Sequence, residues 1–393
     1  LYVENRQTSA LGLVVFAFAA GCPPRFEHDG TDRNYGELFT VSFNPETLIA
    51  AIGTRKRVLI LTHNNPDPDA LASACGLAAI IQYFTSCRVQ VSYSGIVGRS
   101  ENRTLLKYLP IDPTPFSRIR GRGQLAYALV DTQPGAGNNA LPEGTIPSVV
   151  IDHHPPKAST RPLLKQTPLV DIRTNYGACA TIITEYLQEF EVPISASLAT
   201  ALVYGITSET QSLGRDATKA DLKAYNDLIP LANLKNLSLI EFSRQPREYF
   251  RYVRRAVDNA FFYKNVIGTR LGEIGNPDMV AEMADFLLRH ERMSWSIATG
   301  LHQDKLLVSI RATNNRARAG RTIRRLVEVL GGTAGGHNLV AGGQLDCKGK
   351  SIKEISQLDR DLIIGFIRKV TNIDNVKVIN PLVSAEIHDP WEE

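Results

Sequence analysis

Three short apolar runs, each stopping at an acid or an imidazole, constrain this chain more than any other feature. Val58-Leu59-Ile60-Leu61 runs into His63-Asn64-Asn65-Pro66-Asp67-Pro68-Asp69, Ala126 to Val130 runs into Asp131, and Val149 to Ile151 runs into Asp152-His153-His154. Unbroken apolar runs of this length, bounded by turn residues, suit strands buried on both faces, which is the habit of parallel sheets. Around them lie stretches with the apolar spacing of helices, at 69–84 and at roughly 177–190, 194–207 and 218–232, while residues 88–93 alternate as a strand. The rhythm is β-α-β, so the fold expected is α/β, with an N-terminal mostly parallel, doubly wound sheet. Such sheets bind ligands in the crevice outside the carboxyl ends of their strands. The three polar clusters sit at those ends.

The rhythm pauses at 239–262, a basic helical connector, and restarts with strands expected at 264–269, 294–300 and 305–311. A helix at 318–330, a glycine-rich turn at 331–343 and a closing helix near 352–370 follow. This predicts a second, smaller α/β domain with a cleft between the two. The organisation expected is an extension (1–44), a first domain (45–235), a helical linker (236–262) and a second domain (263–393). With 43% hydrophobic and 21% charged residues in 393, the chain is globular rather than disordered. Its net charge of +4 permits an anionic partner without requiring one. Five scattered cysteines, Cys22, Cys75, Cys87, Cys179 and Cys347, form no disulfide framework and favour a reducing compartment. The apolar run 11–20, before Gly21-Cys22, is too short to span a bilayer and is preceded by Glu4 and a single Arg6, a poor signal-peptide start. The localisation expected is cytoplasmic, with export or lipid anchoring as the alternative, and no membrane is expected among the partners.

The chemistry lies in the strand-end clusters. His63, Asp67 and Asp69 are separated by even steps, so an extended loop would present an imidazole and two carboxylates on one side. Carboxylates favour hard ions such as Mn²⁺ and Mg²⁺, and imidazole shifts the preference toward Mn²⁺, Fe²⁺ or Co²⁺. Asp131 adds a carboxylate, and Asp152-His153-His154 adds an acid and two imidazoles. Each piece alone has a plainer reading: His63 as a loop histidine, Asp69 as a helix N-cap, the histidine pair as surface residues. Their joint occurrence at three strand ends argues for a shared site. Asp152 fits the orienting carboxylate behind a histidine.

The pattern His-x-x-Pro-Asp-x-Asp (His63 to Asp69), a strand-end Asp131 and Asp152-His153-His154-Pro155 resembles the DHH phosphoesterase superfamily. Gly335-Gly336-His337-Asn338-Leu339-Val340-Ala341-Gly342-Gly343 resembles the glycine-rich signature of the DHH-associated domain, and the two occur in the right order. The resemblance covers about residues 50–345 and is nearest the nanoRNase, oligoribonuclease and exopolyphosphatase-related branch. It implies a catalytic first domain and a substrate-binding second domain. It implies two divalent cations, Mn²⁺ foremost with Mg²⁺ or Co²⁺ as alternatives. His63 and Asp67 would hold one, Asp69 and His153 the second, and Asp131 would bridge both. Glu209, within Gly205-Ile206-Thr207-Ser208-Glu209-Thr210, stands where the family places a further metal-ligating aspartate and is one methylene longer. Pro68 and Ala72 replace glycines common in the first motif. Asp131, His154 and Asp152 form the expected catalytic group, with His154 against the phosphate or the leaving oxygen. Arg311 matches the family's strand-end arginine, and Gly335, Gly336 and His337 would complete a terminal-phosphate pocket with it. Arg99 and Asn102, after another strand, would add substrate contacts.

The function implied is hydrolysis of phosphodiester or phosphomonoester bonds in short oligonucleotides or nucleotides, including 3′-phosphoadenosine 5′-phosphate or linear dinucleotides. The partners implied are that substrate, no long duplex nucleic acid, and optionally a second copy of the chain. A polyphosphate or pyrophosphate hydrolase is the enzymatic alternative. A non-catalytic nucleotide-binding sensor on a degenerate DHH scaffold is the other.

Overall fold

The structure is a computed structural model that describes residues 43–121, 125–336, 338–376 and 379–383. His337 and residues 1–42, including Cys22, lie outside the described residues. Among the described residues the first element is the helix Pro45–Ile52 (α1), where the Asn44 side chain accepts the Thr47 N–H and the Thr47 hydroxyl returns a bond to Asn44. A reciprocal cap of this kind sets a helix start with Pro at its first position.

The first sheet contains β1 (Arg57–Leu61), β2 (Arg88–Tyr93), β3 (Thr114–Pro115), β4 (Leu125–Val130), β5 (Val149–Asp152) and β6 (Leu169–Ile172). Its order is β3-β2-β1-β4-β5-β6, and every pairing is parallel. The pleat sorts the apolar runs. Val58 and Ile60 join one core with the helices α2 (Pro68–Phe84), α5 (Cys179–Glu189) and α6 (Ala196–Glu209); Leu59 and Leu61 join another with Tyr127, Leu129 and Leu164. Between α2 and α5 lie the short helices α3 (Ser100–Leu106) and α4 (Arg161–Leu164). Burying a Leu or Ile fully is worth about 1.5–3 kcal/mol, so strands buried on both faces hold the sheet in one register. The order reverses direction between β1 and β4, and the crevice of a doubly wound sheet opens at such a switch point. His63 follows β1 and Asp131 follows β4.

Helices α7 (Lys219–Leu228), α8 (Leu234–Glu241) and α9 (Arg247–Asp258) lead to the second sheet. That sheet holds β7 (Phe261–Tyr263), β8 (Val266–Glu273), β9 (Trp295–His302), β10 (Lys305–Ala312), β11 (Thr333–Gly336), β12 (Val340–Asp346) and β13 (Asn380–Pro381). Its order is β11-β12-β10-β9-β8-β7-β13, and only the β8–β9 pairing is parallel. Helix α10 (Asp278–Leu287) packs with α9 on one face, and α11 (Ala319–Val329) with α12 (Ile352–Thr371) on the other. Two sequence expectations change here. The region 331–343, expected as one glycine-rich turn, is largely two antiparallel strands, with Gly335 opposite Gly342 and Gly336 opposite Ala341. Glycine is a weak strand former, and here the ladder with β12 decides. The linker region ends in strand, because Phe261 is fully buried against Val266 and Ile297.

Candidate metal centre

The first cluster is shaped by how the chain leaves β1. The Asn65 backbone has φ +54°, which turns the chain sharply, and Asp67 then caps α2 by accepting the Ala70 N–H at 2.9 Å. The expected extended run through Asp69 is therefore corrected: Pro68 starts the helix, and Asp69 sits in its first turn. Proline at the first helical position, after a capping Asp, favours that ending. Asp69 is buried, and its two oxygens accept the N–H groups of Cys179 (2.8 Å) and Ala180 (2.7 Å), the first residues of α5. A helix N-terminus stabilises a carboxylate there. Oδ1 also accepts the Ser73 hydroxyl at 3.3 Å, whereas Oδ2 keeps a second lone pair and lies 3.9 Å from His153 Nε2.

Asp131 is the hub. It is 3% exposed and adopts φ +57°, a left-handed backbone that is sparsely populated by residues with a side chain. Such a conformation costs of the order of 1 kcal/mol and gathers at functional sites. It is held by the Asp131 N–H bond to the Ile151 carbonyl, 2.9 Å, on the next strand. Its Oδ2 lies 3.5 Å from His63 Nε2, and its Oδ1 lies 3.4 Å from His153 Nε2 and from His154 Nδ1. Asp67 Oδ2 lies 3.4 Å from His63 Nε2. Two compact groups result, His63/Asp67/Asp131 and Asp131/His153/His154, each with its ligand atoms within 4.8 Å, and Asp131 belongs to both.

The imidazole tautomers follow from their outer partners. His63 Nδ1 meets the Asn64 carbonyl at 2.9 Å, and His153 Nδ1 meets the Tyr176 carbonyl at 3.2 Å. A carbonyl only accepts, so both Nδ1 atoms carry hydrogen, and each ring turns Nε2 toward carboxylates. Lone pairs facing anions repel unless a cation or a proton lies between them. His153 Nε2 and Asp131 Oδ1 are both buried without a hydrogen-bond partner. A buried orphan calls for a partner such as a water or an ion. The donor set of imidazole nitrogen and carboxylate oxygen fits a divalent transition metal.

The electrostatics agree. Burial alone would lower the His63 pKa, but Asp67 and Asp131 raise it well above the ordinary value. Burial likewise opposes the proton on His153, yet Asp131 and Asp69 bring it up to about 9. Burial would raise Asp131; the histidines around it hold it well below the usual carboxylate range. Asp69 is pushed up by burial and then by Asp131. Glu209, the last residue of α6, is pushed up by burial and then by Asp67, so it shares the cluster's field without joining either compact group. The cluster holds more negative charge than its surroundings neutralise, and it attracts cations.

Asp152 anchors the last strand end. Its Oδ1 accepts the N–H groups of His153 (2.8 Å) and His154 (3.1 Å) and faces His154 Nδ1 at 2.9 Å. Its Oδ2 accepts from Gln133 Nε2 at 2.8 Å, and that nitrogen also donates to the His154 carbonyl. Gln133, buried two residues past Asp131, escaped the sequence reading; its spacing from the strand-end acid was the available signal. The other predicted substrate residues lie elsewhere. Arg311 is 6% exposed, and its guanidinium bonds Asp285 twice (2.5 and 3.3 Å), the Ser309 hydroxyl (2.6 Å) and the Ile310 carbonyl (3.0 Å). Arg99 reaches the same Asp285 at 3.3 Å, and Asn102 is buried in α3. Gly336 has φ +135°, and a Cβ there would collide with the Ala341 backbone, so its glycine is required by the strand contact itself.

Comparison with known proteins now decides the family. The DHH family N-terminal domain matches residues 57–206, and the DHHA1 domain matches residues 261–363. The chain belongs to the DHH family. Members of that family are metal-dependent phosphoesterases. An uncharacterized protein of Methanocaldococcus jannaschii is 32% identical over 290 residues, which is 73% of this chain and 58% of that relative's length. The crystal structure of an exopolyphosphatase-related protein from Bacteroides fragilis aligns with TM-score 0.64 and 14% identity, over 83% of this chain and 97% of that one. It shares this fold. Among the described residues, no helix is long and apolar enough to cross a membrane.

Proposed function

We propose that this DHH-family chain is a two-metal phosphoesterase acting on short oligonucleotides or nucleotide phosphates. The observation that carries the reading is the Asp131 carboxylate, one oxygen toward His63 and the other, orphaned, toward His153. In this reading His63 and Asp67 would hold one divalent cation, Asp69, His153 and Glu209 would hold the other, and Asp131 would serve both. Mn²⁺ suits the mixed imidazole–carboxylate set. Two such ions would supply Lewis-acid charge for a phosphoryl oxygen and an acidified water as nucleophile.

The chain's own residues do the rest. Asn64 and Tyr176 fix the His63 and His153 tautomers with Nε2 inward. Asp152 holds His154 through Nδ1, and with Asp131 beside it the His154 pKa rises well above the ordinary value despite burial. A protonated His154 can therefore give a proton to the leaving oxygen from Nε2. The name of the Bacteroides fragilis protein keeps a polyphosphate hydrolase as the second reading.

One experiment separates them: Mn²⁺ titration with turnover of a dinucleotide, polyphosphate and pyrophosphate side by side. Dinucleotide hydrolysis that saturates with Mn²⁺ is the expected result. Turnover of polyphosphate alone would replace the substrate assignment, and no turnover of any with Mn²⁺ bound would point to the nucleotide-binding sensor.

A further inference from the structure

Two arginines that sequence reasoning assigned to substrate, Arg99 in the first half and Arg311 in the second, converge instead on one carboxylate. Arg311 Nε and Nη2 bond the two oxygens of Asp285 on α10, and Arg99 Nη2 reaches Asp285 Oδ2 at 3.3 Å. We infer that Asp285 is a positioning residue that locks the second half of the chain onto the metal loop and so sets the span from the Asp131 cluster to the end of β10. The inference rests on the phosphoesterase reading above.

The connection can be followed atom by atom. Asn65, inside the His63–Asp67 loop, donates its N–H to the Ser94 carbonyl at 2.8 Å, and its side-chain oxygen accepts the Ile96 N–H at 2.9 Å. The same short loop continues to Gly98, whose carbonyl accepts from Asn276 Nδ2 at 3.2 Å, just ahead of α10. A side chain at Gly98 would collide with Asp278 and Asn276, so the two halves meet there backbone to side chain. Arg99 then caps the seam through Asp285, and Asp285 passes the constraint to Arg311 at the end of β10. Arg311 is buried, and Nε, Nη1 and Nη2 all have partners within the second half. Four of its five N–H groups are committed, so a substrate phosphate could take a bidentate grip only by displacing Asp285. The arrangement is a brace rather than an open clamp.

A brace and an occupied substrate site make opposite predictions for Asp285→Asn, which keeps the shape and removes the charge. If Asp285 only competes with substrate for the arginines, the variant lowers KM. If Asp285 positions the two halves, KM for a dinucleotide that must reach both halves rises about tenfold, because misplacement of about 1 Å costs up to about 100-fold. The kcat stays within about threefold, and turnover of a small chromogenic phosphodiester, which needs only the metal loops, stays within about twofold. Asp285→Glu recovers most of the dinucleotide KM. Small-angle scattering on the same proteins reads the seam directly, with a larger radius of gyration expected for Asp285→Asn than for the unaltered chain. A lower or unchanged KM, or equal losses on both substrates, overturns the inference. Should the unaltered chain hydrolyse no phosphodiester, the function proposed above fails. Scattering then decides the brace alone, and identical curves for the two proteins overturn it.

Discussion

The ends of β1, β4 and β5 on one side and the end of β10 on the other both carry charged side chains in positions where the sequence predicts a ligand, and they differ in one physical respect. At the first, buried groups are left without a hydrogen bond: Asp131 Oδ1 and His153 Nε2 face each other at 3.4 Å. At the second, the charge is satisfied: Arg311 is surrounded by Asp285, Ser309 and the Ile310 carbonyl. A buried unsatisfied group carries a desolvation cost of about 1–3 kcal/mol, more when charged, so it persists where something else supplies the partner. Here the buried arginine finds its partner in a half-buried carboxylate, so no desolvated charge is left over. The contrast teaches that an acid or arginine at a strand end is uninformative until its unmade bonds are known.

The sharpest way to break this contrast is Asp131→Asn. It keeps the shape and removes one anionic oxygen, and we expect steady-state turnover to fall by about three orders of magnitude, equivalent to about 4 kcal/mol. A rate near that of the unaltered chain would remove Asp131 from the centre. Next is Gly336→Ala in the second half, where positive φ and contact with Ala341 leave no room; we expect a loss of about 2 kcal/mol in denaturant unfolding, with Mn²⁺ affinity unchanged.

Proton competition is the third and smaller effect. The imidazoles of His63 and His153 carry protons below their raised pKa values, the latter about 9, and must release them to bind metal. Calorimetric Mn²⁺ affinity should therefore rise as pH goes from 6 to 9, by up to about tenfold per pH unit for each proton released, with protons liberated to buffer. A pH-independent affinity would place the metal away from these rings. The smallest effect is expected for Glu209→Asp, which restores the family's shorter ligand: Mn²⁺ affinity unchanged or raised by less than about threefold. A clear loss would show that the cation needs the longer side chain, and an unchanged affinity in Glu209→Ala would exclude Glu209 from the second cation.

Much of the first half was legible because its signals are local. The apolar runs at 58–61, 126–130 and 149–151 are strands in a parallel sheet, and each ends at its charged cluster. The conformation of the His63 loop was less legible. Even spacing suggested an extended chain, but Asp67-Pro68 is also a helix start, and the core beneath α2 decided for helix. The destination of Asp69 on the α5 N-terminus, 110 residues away in sequence, had no local signal. The same holds for Asp285, an unremarked acid on an amphipathic helix.

Hydrophobic periodicity, turn residues and the Asp-His-His motif determined by themselves that this chain folds as α/β and carries acids and imidazoles at strand ends. Only the tertiary structure decided which of those side chains meet. Strand order brings the ends of β1 and β4 side by side, and packing of α10 against β10 turns Arg311 inward to Asp285. The physical reason is range: periodicity and capping act over a few residues and are written locally, whereas an unmade bond depends on every atom that burial brings near it.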